Sequence, residues 1–280
     1  MFPSQFSYHK PGSVKEAVAL LKSDPDAKIV AGGHSLIPAM KLRLAAPSAL
    51  VDLGGIKELQ GIDVNGSVRI GAMTTYAQLR DSAKLKKALP VIAEVANNVG
   101  DPQVQSRGTL GGSLAHNDPA ADFTAVMLAL GASVKVAGPS GERTIPVDDL
   151  LVDLLTTSLA NDEIITEIVI PGGASAAAYE KFRHPASGYA VVGIAAAVRT
   201  GAGGVVEDAR IAVTGCTSNS ARARAAEAAL VGKKLSAESI AAAAAVAADG
   251  LDLNGDHYAS ADYRRHLVGV CTRRALERLG

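Results

Sequence analysis

Two glycine-rich turns are the residues of this sequence whose types and spacing first suggest chemistry. One reads Ala-Gly-Gly-His-Ser-Leu at 31–36, and the other reads Thr-Leu-Gly-Gly-Ser at 109–113. Backbone N–H groups at glycine turns and helix starts commonly bind phosphate. Glycine has no Cβ, so the backbone itself can touch the phosphate oxygens. The first turn follows a predicted buried strand at 28–31 and precedes a predicted helix that Ser35 can cap.

A Gly-Gly pair alone is weak support for such a site. The same pair occurs at 54–55, 172–173 and 203–204, where it is typical of ordinary turns. No Gly-x-Gly-x-x-Gly sequence follows the first predicted strand, so a Rossmann nucleotide site is not expected. Each turn by itself therefore leaves phosphate binding and a purely structural role open.

Other chemistry finds less support. His116, Asp118 and Asp122 follow the second turn and could form a metal cluster, but the glycine-rich frame suits an anion. No side chain stands in a nucleophile motif such as Gly-x-Ser-x-Gly. Cys216 and Cys271 are predicted to be buried thiols, and two cysteines cannot complete the shell of an iron–sulfur cluster. We therefore expect no metal ligands in this chain.

Bulk composition excludes several classes of protein. The 280 residues suggest one large α+β unit or two modest ones. Basic and acidic residues number 28 each, so no positive field is available for nucleic acid. No apolar stretch reaches the roughly 20 residues that cross a bilayer. The first residues lack the features of a secretory signal, so we expect a cytoplasmic protein, although a complex that contains it could lie against the inner face of the membrane.

The first part of the chain mixes predicted helices and strands without a regular βαβ repeat. Its elements are a helix at 14–21, strands at 28–31, 50–53 and 67–72, and helices at 75–85, 89–99 and 123–130. The segment 100–122 is dense in Gly, Asn, Asp and Pro and is predicted to be irregular. A loop of that length is usually functional or disordered, and its apolar residues argue against disorder.

After the predicted helix at 123–130 the pattern changes mainly to strands. Two strands flank a turn at 138–141, and a strand at 163–170 ends at Pro-Gly-Gly, where we place a domain boundary at 173. Segments 178–183, 189–199 and 209–215 predict an antiparallel meander with a hairpin at 200–204. The remainder is predicted to be helical, including the alanine-rich run at 239–248. The arginine pairs at 264–265 and 273–274 are interpreted as a solvated face near a helix C-terminus rather than a docking patch.

Several ordered motifs together carry a family resemblance. They are Ala-Gly-Gly-His-Ser-Leu-Ile-Pro at 31–38, Gly-Ala-Met-Thr-Thr at 71–75, Thr-Leu-Gly-Gly at 109–112, Tyr-Glu-Lys-Phe at 179–182, Gly-Tyr-Ala at 188–190 and the arginine-containing segments at 263–267 and 273–276. In this order and over almost the whole chain, they closely resemble the medium flavoprotein subunit of aerobic carbon monoxide dehydrogenase and its molybdenum hydroxylase (xanthine dehydrogenase family) relatives. Leu110 stands where many relatives have Ile, a swap of equal volume.

The resemblance implies an α+β fold. A two-subdomain FAD-binding unit of the vanillyl-alcohol oxidase (PCMH) type would occupy 1–173, with subdomains at about 1–55 and 56–173. A smaller domain of antiparallel sheet plus helices would occupy 174–280. Family members with an additional iron–sulfur cluster in this subunit carry a Cys-rich insertion, which this sequence lacks.

The resemblance also implies a set of cofactor-binding residues. The first turn would bind the FAD pyrophosphate, the second would form an opposing clamp, and Asp122 would lie near the ribityl or ribose hydroxyls. Tyr189 would shield one face of the flavin; the alternative is that it begins a core strand. The full set is Ala31, Gly32, Gly33, His34, Ser35, Leu36, Gly100, Thr109, Leu110, Gly111, Gly112, Ser113, His116, Asp122, Ile165, Lys181 and Tyr189.

The implied function is electron transfer without a substrate-oxidising centre in this chain. FAD, bound noncovalently, would receive electrons from a small 2Fe-2S subunit and pass them to a quinone or another acceptor. A large molybdenum-cofactor subunit would oxidise the substrate, with two copies of each subunit in the complex. Open alternatives are a medium subunit of an N-heterocycle, purine or aldehyde dehydrogenase, a self-contained flavin oxidase, and a non-catalytic nucleotide-binding scaffold.

Overall fold

The computed structural model describes residues 2–173 and 176–280. The strands are β1 Ser7–His9, β2 Lys28–Val30, β3 Ala49–Asp52, β4 Ile62–Asn65, β5 Ser67–Gly71, β6 Ser133–Gly138, β7 Gly141–Pro146, β8 Leu151–Asp153, β9 Thr156–Thr157, β10 Ile164–Ile170, β11 Ala176–Arg183, β12 Ala190–Thr200, β13 Val206–Thr214 and β14 Ala221–Arg222. The helices are α1 Val14–Ser23, α2 Leu36–Lys41, α3 Tyr76–Asp81, α4 Ala83–Ala88, α5 Pro90–Asn98, α6 Pro102–Arg107, α7 Leu110–His116, α8 Asp122–Ala129, α9 Val147–Leu150, α10 Arg224–Leu230, α11 Ala237–Ala245 and α12 Ala261–Glu277.

The strands form separate sheets along the chain. The first sheet is parallel with order β1-β3-β2, and Val51 of β3 pairs with Ile29 of β2. The second is antiparallel with order β4-β5-β10-β6-β7, and Ile168 at its centre pairs with Ile70 and Val134. In a parallel sheet the carboxyl ends of the strands share one edge, which is where ligands of such sheets commonly bind. The first glycine turn leaves from that edge, at the end of β2.

The C-terminal part contains the predicted meander. Its antiparallel sheet has the order β11-β12-β13-β14, and the pairs β11–β12 and β12–β13 confirm the predicted hairpins. Residues 190–198 of β12 are all buried, because the first domain covers one face of the sheet and α10, α11 and α12 cover the other.

Helix α8 is the element that joins the two halves. Each of its residues from Asp122 to Ala129 is buried, as expected for a helix that is apolar on all sides. Its apolar residues share one core with the β5–β10–β6 sheet and with Tyr179, Ala195 and Ala212 of the C-terminal sheet. The start of α8 therefore lies at the junction between the two halves, together with its one charged residue.

The predicted irregular segment at 100–122 is wrong for most of its length, because it contains α6 and α7. Asp101 caps α6 by accepting a hydrogen bond from Val104 N at 2.8 Å, and Pro102 occupies the first helical position. Thr109 caps α7 in the same way. An Asp-Pro pair and a Thr before an apolar residue are helix-start signals, so these helices could have been found from the sequence.

Smaller predictions also need correction. The predicted helix at 75–85 is two helices, since Ser82 ends α3 and caps α4 by accepting from Leu85 N. Strand β2 ends at Val30 and is only partly buried. Arg264 is not on a solvated face: it is 6% exposed near the start of α12 and donates to Gly215 O and to Asp256. The side chain of Arg264 therefore stabilises the C-terminal domain from inside.

Cys216 and Cys271 are both buried thiols, as predicted. Burial raises the pKa of Cys216 to about 12 and that of Cys271 to about 11. Among the helices of residues 2–173 and 176–280, none combines the length and the apolar character that crossing a membrane requires.

Candidate functional site

The first glycine turn carries a run of backbone N–H groups that the described residues leave without an acceptor. In the part of the chain that the structure describes, the N–H groups of residues 32–36 have no acceptor within the protein. Gly33 adopts a left-handed conformation with φ of +76°, which glycine tolerates and which can turn successive N–H groups toward one point. Ser35 does not cap α2 with its side chain, contrary to the prediction. The turn is therefore suited to bind an anion through its backbone.

The second turn differs, because its donors are already used. Leu110 N donates to Thr74 O at 3.1 Å, and Gly111 N donates to Ala72 O at 2.9 Å. Gly112 N donates to the hydroxyl of Thr109 at 3.1 Å. These bonds explain the motif at 71–75, whose backbone oxygens hold the second turn in place. What the turn offers a ligand is its shape and the hydroxyl of the half-buried Ser113.

The glycines of the two turns are needed for protein packing. A Cβ on Gly32 would overlap the backbone oxygen of Arg107 and lie 2.9 Å from the Cα of Gly108. A Cβ on Gly111 would lie 2.6 Å from that of Ala72. The expectation that these glycines make room only for phosphate is therefore incomplete. Gly32 lets the first turn approach the backbone just before the second turn, and Gly111 lets the second turn approach Ala72, the residue after β5.

An aromatic pair lies beside the second turn. The ring of Tyr76 stacks on that of Phe123 with centroids 5.3 Å apart. Burial raises the pKa of Tyr76 to about 12, and the neighbouring hydroxyl of Ser113 acts in the opposite direction. The Tyr76 ring therefore connects Ser113 on α7 with the start of α8, where the next polar group of the site lies.

That group is a buried ion pair between the two domains. Lys181 Nζ lies 2.9 Å from Asp122 Oδ2, and their side chains are 9% and 6% exposed. The hydroxyl of Tyr179 donates to Asp122 Oδ1 at 2.5 Å. Burial raises the pKa of Asp122, while Lys181 and Tyr179 act in the opposite direction. Burial and the Asp122 carboxylate hold the pKa of Tyr179 well above its usual range.

Tyr179 was not among the predicted site residues, although a signal for it exists. Successive side chains of a strand point to opposite faces, so Tyr179 and Lys181 of β11 share one face. A Tyr two positions before a predicted site lysine should therefore reach the same partner. Both carboxylate oxygens of Asp122 are engaged by these two side chains, and its expected place near the ribose or ribityl hydroxyls stays a prediction.

Tyr189 lies outside the core. Its side chain is 50% exposed, and β12 begins one residue later at Ala190. Gly188, with φ of +74°, turns the chain immediately before it. Partial burial raises the pKa of Tyr189, and the carboxylates of Asp118 and Asp122 add to the shift. The alternative of a core tyrosine is wrong, and the ring stands on the surface near the buried ion pair.

The remaining predicted residues have mixed positions. His34 is exposed, and its Nε2 lies 3.3 Å from Gln103 O on α6. Gly100 has φ of +57°, and His116 is the half-buried last residue of α7. Ile165 is 5% exposed and packs into the core of the first domain. Within the described residues, no group of three or more His, Cys, Asp or Glu side chains is placed to hold a metal ion.

These features suit a ligand with an anionic group at one end and a planar ring at the other. The N–H groups at 32–36, which have no acceptor among the described residues, can donate to a pyrophosphate. Among the described residues the Lys181 ammonium uses one of its three donors, toward Asp122, so it can donate to polar atoms of a ring. The half-exposed ring of Tyr189 can pack against a flat aromatic surface. The residues present therefore fit a flavin dinucleotide.

Two family models match this chain and together span nearly all of it. Residues 4–173 match the FAD binding domain in molybdopterin dehydrogenase. Residues 177–279 match the C-terminal domain of the carbon monoxide dehydrogenase flavoprotein. The chain therefore contains an FAD-binding domain.

Relatives of similar length support the same assignment. The carbon monoxide dehydrogenase medium chain of Hydrogenophaga pseudoflava is 41% identical, with 99% of this chain and 97% of the relative covered. The nicotine 6-hydroxylase medium subunit of Paenarthrobacter nicotinovorans is 40% identical, with 98% and 96% covered. Both names describe subunits of oxidoreductases.

Solved structures agree with the sequence matches. Carbon monoxide dehydrogenase from Hydrogenophaga pseudoflava superimposes with a TM-score of 0.95 at 42% identity, covering 100% of this chain and 98% of that chain. Quinoline 2-oxidoreductase from Pseudomonas putida 86 gives a TM-score of 0.93 at 34% identity, with the same coverage. The predicted fold class is confirmed, and the chain belongs to the family of FAD-binding medium subunits of molybdenum hydroxylases that includes carbon monoxide dehydrogenase.

Proposed function

We propose that this chain binds one FAD noncovalently and relays electrons within a complex most similar to carbon monoxide dehydrogenase. The observation that carries the proposal is the run of N–H groups at 32–36 that have no acceptor among the described residues. This run lies where the carboxyl ends of the parallel strands meet. A dianionic pyrophosphate satisfies such donors without a compensating Lys or Arg. The clamp at 109–113 then acts through its shape and the Ser113 hydroxyl.

The flavin end of the site belongs to the junction between the domains. Lys181 and Tyr189 come from the C-terminal domain, whereas Ser113 and Asp122 come from the first domain. In the proposed site, Tyr189 packs on one face of the ring and excludes water from it, and Gly100 and His116 line the pocket. When bound, flavin supplies the chemistry of accepting electrons one at a time and releasing two, while the chain supplies position and electrostatics.

The partners follow from what the sequence lacks. With Cys216 and Cys271 as its only cysteines, the chain cannot hold an iron–sulfur cluster by the usual four thiolates. We infer that a small 2Fe-2S subunit delivers electrons and a large molybdenum-cofactor subunit oxidises the substrate, in a cytoplasmic complex with two copies of each subunit. A quinone or another carrier would accept the electrons from the flavin.

The substrate of the complex is a separate question. Relatives named for carbon monoxide and for nicotine are 41% and 40% identical to this chain, which does not separate the two substrates. Such near equality is expected if specificity resides in the molybdenum subunit. Carbon monoxide is the substrate we favour, because solved carbon monoxide dehydrogenases superimpose with TM-scores of 0.95. A medium subunit of an N-heterocycle, purine or aldehyde dehydrogenase is the alternative.

The test begins with the purified chain and FAD. The chain should bind FAD at about one-to-one stoichiometry with a flavin absorption spectrum, and acid precipitation should release all of the flavin into solution. Yellow protein in the acid precipitate would instead indicate a covalent link, as in many self-contained oxidases. A chain that stays colourless with added FAD would support the scaffold alternative.

The second part of the test concerns the complex. The chain should copurify with the products of adjacent genes and show no substrate oxidation without them. Robust turnover of an oxidisable substrate by the isolated chain would contradict the relay function. The mass of the purified complex then decides the proposed stoichiometry.

A further inference from the structure

Lys181 is a buried cation that has more N–H donors than acceptors among the described residues. Its side chain is 9% exposed, and within residues 2–173 and 176–280 it donates a hydrogen bond to Asp122 alone. An ammonium has three N–H donors, and a buried charge is costly unless it is both paired and hydrogen-bonded. Two donors of Lys181 therefore remain for acceptors that the described side chains do not provide.

Tyr179 and Asp122 hold this ammonium in one position. The Tyr179 hydroxyl donates to one carboxylate oxygen of Asp122, and Lys181 donates to the other. Tyr179 is itself confined, because a Cβ on Gly193 of the neighbouring strand would lie 3.1 Å from its Cζ. Arg278 also donates to the backbone oxygen of Tyr179 at 2.8 Å. The three side chains thus form a positioned set, called here the Tyr179–Asp122–Lys181 triad.

Burial distinguishes Lys181 from the other charges around the triad. Burial raises the pKa of Asp122, while the Arg183 guanidinium is among the groups that lower it. The pKa of Tyr189 is raised by its partial burial and then by the carboxylates of Asp118 and Asp122. The formal charges of these two cations and two carboxylates cancel. Arg183 is exposed and Asp118 is half-buried, whereas the Lys181 side chain is only 9% exposed. In a partly desolvated site such a fixed charge acts strongly on a neighbouring charge.

We propose that Lys181 donates to the pyrimidine edge of the flavin, and that Tyr179 is a positioning residue that acts through Asp122. The proposal deepens the proposed function and rests on it. FAD takes up two electrons from the partner's clusters and one proton to give the anion FADH⁻, whose charge lies on the N1 and C2 carbonyl edge. A fixed ammonium at that edge binds the anion more tightly than neutral FAD. The triad therefore sets how easily the flavin is reduced.

The experiment uses the full chain reconstituted with FAD and compares Lys181→Met, Lys181→Arg, Tyr179→Phe and Arg210→Met. For each variant, the affinity for oxidised FAD and the two-electron reduction potential are measured. Lys181→Met should reduce the preference for reduced over oxidised flavin about tenfold, which is about 30 mV for a two-electron couple. Tyr179→Phe should shift it in the same direction by a smaller factor, and Lys181→Arg should retain most of it.

Arg210→Met is the matched control. Arg210 of β13 joins the same two domains through Asp148 at 2.5 Å and the backbone oxygen of Leu128 at 3.0 Å, and it contacts no member of the triad. Its loss should lower the melting temperature and leave the potential unchanged. If Lys181→Met does not fold, Tyr179→Phe decides, since it keeps the ring and removes one hydroxyl.

The outcomes separate the two proposals. A parent chain that binds FAD, with potentials equal in all variants, would leave the relay function standing and make the triad a domain clamp only. A parent chain that binds no FAD would remove both proposals. Lower potentials in Lys181→Met and Tyr179→Phe, with the parent's potential in Arg210→Met, would support the triad as we describe it.

Discussion

Gly32 lies against the backbone of Arg107, so that a Cβ on this glycine would overlap the Arg107 backbone oxygen. Arg107 ends α6 and lies two residues before the second glycine turn begins at Thr109. The contact holds the two turns together, although one follows a parallel strand and the other begins a helix. The spacing between them is therefore set by backbone contact.

The first prediction concerns this contact. Gly32→Ala should lower the free energy of unfolding by about 1–3 kcal/mol, the usual range for overpacking, and weaken FAD binding because the turns separate. Denaturant unfolding and FAD titration measure the two effects. Gly12→Ala is the matched control, since the nearest atom to its Cβ would be 3.8 Å away. Parent-like values for Gly32→Ala in both assays would show that the turns tolerate separation.

The second prediction concerns the cap of α7. Thr109→Ala removes the hydroxyl that accepts from Gly112 N, and it should cost about 1 kcal/mol of stability and reduce FAD affinity. Ser260→Ala removes the equivalent cap of α12, where Ser260 accepts from Tyr263 N at 3.2 Å. Both variants should lose similar stability in denaturant unfolding, but only Thr109→Ala should lose affinity. Equal affinities would mean that the second turn is structural only.

The third prediction concerns Tyr189. Because its side chain is half exposed, Tyr189→Ala should change the free energy of unfolding by less than about 0.5 kcal/mol. Loss of an aromatic plate from the flavin should raise the fluorescence of bound FAD and alter the rate at which reduced flavin is reoxidised. Tyr189→Phe should behave like the parent. A less stable Tyr189→Ala with the parent's fluorescence and reoxidation rate would contradict the proposed contact.

The fourth prediction concerns the thiols. Burial raises the pKa of Cys216 to about 12 and of Cys271 to about 11, so very little thiolate is present at pH 8. Since the thiolate is the reactive form, neither thiol should react with a disulfide reagent in the folded chain within minutes. Both should react at once in denaturant. Rapid labelling of the folded chain would show that one of them is accessible.

Local patterns in the sequence were enough for much of the architecture. The glycine-rich turn at 200–204 between two apolar runs predicted the meander, because such a turn joins antiparallel strands. The ordered motifs carried the resemblance to the family, which the family models and relatives then confirmed. Capping residues would also have located α6 and α7, as Asp101 and Thr109 act within three residues of their position.

Contacts between distant segments were decided by the tertiary structure alone. Asp122 and Lys181 are 59 positions apart, and only the packing of α8 on the C-terminal sheet brings them together. The N–H groups of the two glycine turns look equivalent in sequence. Those at 110–111 donate hydrogen bonds to the 71–75 segment, whereas those at 32–36 have no acceptor among the described residues. Sequence periodicity reports which side of an element is apolar. Which acceptor meets which donor depends on how whole sheets and helices pack, and that information is nonlocal.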